Sequence, residues 1–281
     1  MAAKKEFSLL LEDYSLMPHR FVAFKNNPNQ DNLREIAKQC VEAWRMNMAV
    51  YTSFSDTGFS TSQIKPLLNE LGKKRLPPTP LNDENITRNP YVTDITEILS
   101  LRLVQDQHKD VVFPCPRVFH KELRGNQHKG IDLIGYIKTP AGHILLIMEV
   151  MASIELQHPA GTVREHLKQI LDNTLDSNDP VRLINELEYI HDEAGDEHKY
   201  VINGFLTALL NGQFNNKEDV WAVPVLVRPI NLWDKKDWLP FMKATNKFED
   251  AKIPSTVYHY ALECNCTFDK LFDLIKNAAV S

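Results

Sequence analysis

Helices and strands alternate along this chain, and its central strands are apolar on both faces. Those two features predict an α/β fold, a mixed sheet covered by helices on each side. A third observation places the middle of the sheet. Two apolar runs, 131–137 and 143–150, flank the turn Thr139-Pro140-Ala141-Gly142, the pattern of a β-hairpin.

The elements follow in order. Residues 1–30 read as one or two strands with loops, ending in the breakers Asn26-Asn27-Pro28-Asn29. Asp31 or Asn32 then caps a helix whose apolar stripe is Leu33, Ile36, Ala37, Cys40, Val41, Trp44, Met48 and Tyr51. A shorter helix from about Ser62 carries Ile64, Leu67, Leu68 and Leu71, and Gly72 stops it. Lys73-Lys74-Arg75 and Pro77-Pro78-Thr79-Pro80 form a basic, exposed linker and the best domain boundary. The expected organisation is an N-terminal α+β extension at 1–76 and a main domain at 93–281, with a helical insertion at about 176–212.

The main domain opens with a helix at Asp94, where Glu97 three residues on completes a capping box. Strand-like residues 111–119, a polar loop and the hairpin follow. The next helix has a capping box at Thr162 and Glu165, and helical patterns recur at 181–191 and 200–210. Strands at 220–227 and 256–263 then alternate with helical stretches near 234–247 and 267–279.

Bulk composition excludes several classes. With 43% hydrophobic and 25% charged residues in 281, the chain is an ordinary globular protein able to bury a large core. A net charge of -5 gives no global attraction to nucleic acid, so any such contact needs a local basic surface or a partner. No signal peptide or membrane span is expected, and four irregularly spaced cysteines fit a reducing cytoplasm.

Each hairpin strand carries one carboxylate. If the loop is symmetric about the bond between Pro140 and Ala141, paired residues have numbers that add to 281, which sets Asp132 opposite Glu149 and Gly130 opposite Met151. Glu149 and Met151 share a face because strand side chains alternate. At about 5 Å and an effective dielectric near 20, two such carboxylates repel by roughly 3 kcal/mol. Either one is protonated or a cation lies between them, and paired carboxylates holding Mg²⁺ are the commoner enzymatic arrangement where the substrate is a phosphate ester. The bland alternatives are a carboxylate at a strand end in water, or a bulge that breaks the register.

Other constellations are weaker. His191, Asp192, Glu193, Asp196, Glu197 and His198 suit a polar loop better than a second metal site. Cys264 and Cys266 read as a buried pair at a strand end, and His158 and His166 lie at a helix entrance whose dipole favours a phosphate, with a simple turn at Pro159 as the alternative for His158. There is no P-loop motif, so any ATP chemistry belongs to a partner.

The order helix, three strands, helix, strand, with Glu97 in the first helix, Gly130-x-Asp132 followed by Ile134-Gly135, and Glu149-Val150-Met151-Ala152-Ser153, resembles the PD-(D/E)XK nuclease superfamily. The wording around these positions, with HLKQILDNTLDS, RLINELEYIHDEA and VWAVPVLVRP, is most similar to the nuclease subunits of bacterial Hachiman anti-phage defence systems. The resemblance implies a restriction-endonuclease-like mixed sheet in which Asp132, Glu149 and the carbonyl of Val150 bind Mg²⁺ or Mn²⁺. It implies that Glu97 supports the site, and it supplies DNA and a helicase or ATPase subunit as partners. It also expects a catalytic lysine two residues after Glu149, where this chain has Met151.

Methionine matches the length of a lysine stem but carries no charge, so packing survives while the chemistry weakens. Loss of one such group costs about 10² to 10³ in rate. Three readings compete: an engineered inactivation, a natural nuclease fold that binds without cutting, or a cation moved to Lys129 or Lys138.

Overall fold

A computed structural model describes residues 6–16, 18–27, 30–44, 90–119, 131–161, 163, 180–215, 218–243, 254 and 256–280. The helix expected from Ser62, the basic linker, Lys129, Gly130 and nearly all of the helix expected from Thr162 lie outside these residues.

The described strands form one seven-stranded mixed sheet, ordered β1-β2-β7-β6-β5-β4-β3. Its strands are β1 (Phe7–Leu16), β2 (His19–Asn26), β3 (Val111–Val112), β4 (Leu133–Thr139), β5 (Gly142–Ala152), β6 (Val220–Arg228) and β7 (Thr256–Glu263). The inner strands β2, β7, β6 and β5 run parallel, while β1, β4 and β3 are antiparallel to their neighbours. The two strands of the N-terminal extension therefore continue the same sheet beyond β7.

The covering helices are α1 (Gln30–Trp44), α2 (Pro90–Gln107), α3 (Val181–Glu193), α4 (Asp196–Leu210), α5 (Leu239–Lys243) and α6 (Phe268–Val280). Ile36 and Cys40 of α1, Ile98 and Leu99 of α2 and Phe272 of α6 pack on one face, with Leu146 and Met148 of β5. Leu183 and Leu187 of α3, Ile202 of α4 and Phe241 of α5 cover the other, with Leu145 and Ile147. Consecutive residues of β5 thus enter opposite cores, which explains why its sequence is apolar without alternation.

Two local expectations are corrected. The helix carrying Glu97 begins at Pro90, so Asp94 lies inside it and the Asp94–Glu97 capping box does not form. Proline is well suited to a first helical turn, where its missing N–H would have had no partner. The strand expected over 111–119 is reduced to Val111–Val112, and Arg117–Phe119 turn into a 3₁₀ helix. Pro114 and Pro116 remove the N–H groups that a longer ladder needs.

The hairpin pairs as the loop symmetry requires. Leu133 faces Met148, Gly135 faces Leu146 and Thr139 faces Gly142, so every partner pair adds to 281. Gly142 has φ 141°, a conformation that favours glycine and closes the two-residue loop. A Cβ on Gly135 would lie 2.5 Å from the Val112 carbonyl oxygen, so glycine is what allows β3 to approach β4.

Candidate active site

Asp132 stands one residue before β4, half-buried, and the register carried one step past Leu133 and Met148 sets it against Glu149. Its Oδ2 accepts a hydrogen bond of 2.7 Å from the backbone N–H of Val150. A side chain thereby extends the ladder where the backbone of β4 has already turned away. The side-chain hydrogen bond between Asp132 and Glu149 leaves no bulge between them; Asp132 itself lies at the strand end, half-buried, while Glu149 is 7% exposed.

The electrostatics follow from this burial. Burial pushes the Glu149 carboxyl up to about 9, helped by the charge of Asp132 and by a side-chain hydrogen bond between the two groups. Arg182 opposes the shift, and Glu97 adds the smallest upward push. Near neutral pH the shift favours the protonated form of Glu149, hydrogen-bonded to Asp132.

Glu97 is buried in α2, whose core residues pack on the sheet face opposite to Leu145 and Ile147. It reaches the carboxyl pair as a charge, and no capping role remains for it. Met151 is half-buried on the same strand face as Glu149, where it brings a thioether and no charge. Val150, between them, is half-buried against the core that contains α2. Lys138 is exposed at the turn end of β4, paired with His143, and six residues of extended chain, roughly 20 Å, separate it from Asp132. It is therefore no substitute for a cation at position 151.

Sequence reasoning missed the cationic side of this site. α3 starts at Val181, and Arg182 in its first turn acts on both Glu149 and Glu186. Glu186, one turn further along, pairs with Arg117 and accepts a hydrogen bond from the backbone N–H of Ile131. The Arg117 guanidinium also lies 4.7 Å from the centre of the Tyr189 ring. No local motif marks Arg182. Its distance of thirty-three residues from Glu149 is closed only by packing of α3 onto the sheet.

Among the described residues, no group of three or more His, Cys, Asp and Glu side chains is arranged to hold a metal ion. The candidate ligand set is smaller, two carboxyls and a backbone carbonyl. All its donors are oxygens, which suits hard cations such as Mg²⁺ and Mn²⁺. The acidic stretch 191–198 lies at the junction of α3 and α4, where His198 is within 3.0 Å of the Tyr136 hydroxyl and His191 within 3.3 Å of Asp192. Cys264 and Cys266 are buried and free.

His158, expected near a phosphate path, is engaged elsewhere. Its Nδ1 lies 3.0 Å from Oδ1 of Asp237, which also accepts from the N–H of Ala160 at 3.1 Å and from Arg228 at 3.3 Å. Arg228 further donates to the carbonyl of Glu155. This buried cluster ties the segment after β5 to the end of β6.

No helix among the described residues is long and apolar enough to cross a membrane. No family model matches this chain, and no curated protein matches it either.

Proposed function

We propose that this chain is a metal-dependent DNA nuclease subunit of the PD-(D/E)XK type, similar to the HamA subunit of Hachiman anti-phage defence, with cutting weakened or lost through Met151. The observation that carries the reading is the Asp132–Glu149 pair, two carboxyls set together by hairpin register and joined by a side-chain hydrogen bond. Such a pair is costly in an apolar sheet unless a ligand repays it in the working state.

In this reading Asp132, Glu149 and the Val150 carbonyl hold Mg²⁺ or Mn²⁺, which when bound polarises the phosphate and acidifies a water. Glu149 gives up its proton as the ligand enters, so binding is pH-dependent and releases about one proton per site. Glu97 adds negative charge behind the pair. The net charge of -5 supports a subunit that meets DNA with a helicase or ATPase partner, HamB-like, rather than by its own field. Free, buried cysteines agree with a cytoplasmic setting.

Met151 itself favours a second reading, a nuclease-fold subunit that binds DNA or regulates its partner without cutting. Cleavage assays with Mg²⁺ and Mn²⁺ on this chain and on Met151→Lys, each with the partner subunit, separate the two. The nuclease reading expects the lysine variant to cut about 10² to 10³ times faster. A lysine variant that binds metal yet stays inert would overturn it in favour of the second.

A further inference from the structure

We propose that the aromatic cavity beside the C-terminal end of α2 binds a nucleobase. The cavity, about 460 Å³, lies on the sheet face that carries Val22, Tyr258 and Tyr260, turned away from Leu145, Ile147 and Glu149. This inference stands apart from the nuclease reading and uses none of its residues.

Strand register explains the space. Glu12 of β1 pairs with Val22 of β2, and Val22 pairs with Tyr260 of β7. Glu12 and Tyr260 are thus two strand spacings apart, roughly 10 Å. Val22 between them is too short to fill the gap, which leaves a slot with a valine floor. Glu12 and Tyr14 line it from β1, Tyr258 and Tyr260 from β7, and Gln107 and His108 from the end of α2. Its volume is in the range of small-molecule sites.

The aromatic wall is held by its own contacts. The rings of Tyr258 and Tyr260 have centres 5.6 Å apart and planes within 25° of parallel, and the Tyr260 hydroxyl lies 2.6 Å from Nε2 of His108. Across the slot Tyr14 is 48% exposed, and its hydroxyl donates to Oε2 of Glu12 at 3.1 Å. Walls of this kind favour a planar partner.

Charge narrows the ligand. Among the described residues no lysine or arginine lines the cavity, and Glu12 is acidic, so an anion is disfavoured. An organic cation is disfavoured too, because the Arg20 guanidinium already lies 5.1 Å from the centre of the Tyr258 ring and donates to its hydroxyl at 2.7 Å. A neutral planar ring with N–H groups facing Glu12 satisfies both. Nucleobases with an exocyclic amino group meet that description. Uracil does not, since its N–H is flanked by two carbonyl oxygens that a carboxylate repels.

The test uses the full chain, with adenosine, cytidine, uridine and tetramethylammonium as probes in isothermal calorimetry. Adenosine and cytidine should bind, and uridine should bind at least about tenfold more weakly. Tyr14→Ala should weaken adenosine about tenfold and Tyr14→Phe should not, with circular dichroism unchanged in both. Glu12→Gln should raise uridine relative to adenosine, because its amide can donate to a carbonyl oxygen. A single-stranded oligodeoxyadenosine distinguishes the source: much tighter binding than adenosine assigns the base to a strand, and equal binding assigns it to a free nucleoside or nucleotide.

Failure of adenosine and the oligonucleotide alike to bind overturns the proposal. So does tighter binding of tetramethylammonium, which would make the cavity a cation site, and so does adenosine affinity untouched by Tyr14→Ala. Equal affinities for adenosine and uridine overturn the contact with Glu12.

Discussion

Two buried acids sit near the carboxyl ends of adjacent parallel strands, and the chain treats them differently. Asp237 is fully buried against Arg228, with His158 and the N–H of Ala160 as further partners, so the protein itself supplies the opposite charge. Glu149 is buried against another acid, and what balances it is a proton, with Arg182 acting more weakly. The first arrangement is finished without a ligand and reads as structural. The second sets two like charges side by side, and on the proposed reading a cation takes the place of the proton. Burial alone does not single out a carboxylate as a candidate for function; a like charge placed against it does.

The largest effect should come from breaking the finished cluster. Asp237→Ala leaves Arg228 buried without its carboxylate, and unfolding measured by urea titration should show a loss of about 3 to 5 kcal/mol. A loss under 1 kcal/mol would make the cluster no more structural than the carboxyl pair. Next in size is Asp132→Ala, which should leave the fold intact yet weaken Mn²⁺ binding, read by isothermal calorimetry, by at least about tenfold. Unaltered affinity would remove Asp132 from the ligand set.

Glu149→Gln should act in the opposite sense on stability. The folded carboxyl titrates at about 9, above its ordinary value of 4.5, so its contribution is full below pH 4.5 and is lost as pH rises towards 9. The amide removes that loss, and the metal-free variant should be more stable at pH 8 by about 2 kcal/mol, with a flatter profile between pH 5 and 9. A variant equally sensitive to pH would show that Glu149 is not the group responsible.

The smallest effect concerns His19, which lies 2.8 Å from His259 in an aromatic core and is lowered by burial to about 4. A lowered histidine stabilises fully above its ordinary value of 6.5 and loses that contribution as pH falls towards 4. His19→Gln should flatten the acid side of the stability curve by up to about 1 kcal/mol and leave the alkaline side, governed by Glu149, alone.

What could be read from the sequence was what is local or periodic. Pro140-Ala141 fixed a two-residue loop, and loop symmetry then determined the register that joins Asp132 to Glu149. The unbroken apolar strands revealed a sheet covered on both sides. Helix starts were less legible, because Asp94 followed by Glu97 mimics a cap while Pro90 begins the helix. The strand at 111–119 looked continuous only when its two prolines were discounted. Long-range polar contacts left no trace: nothing in the sequence links Arg228 and Asp237 to His158, or Arg182 to Glu149, since packing of separate elements creates these pairs. Near 234 the sequence predicted only a helical stretch; the capping box that opens it, between Asp234 and Asp237, went unread.

On the proposed reading, the Asp132–Glu149 pair holds a proton where a metal ion would otherwise bind. Its most direct test is the titration of the Glu149 carboxyl, by isotope-edited infrared spectroscopy, with and without saturating Mg²⁺. The expected carboxyl is protonated at pH 7, titrates near 9 without Mg²⁺ and is ionised at pH 7 when Mg²⁺ is present. A Glu149 that titrates near 4.5 in both conditions would contradict it.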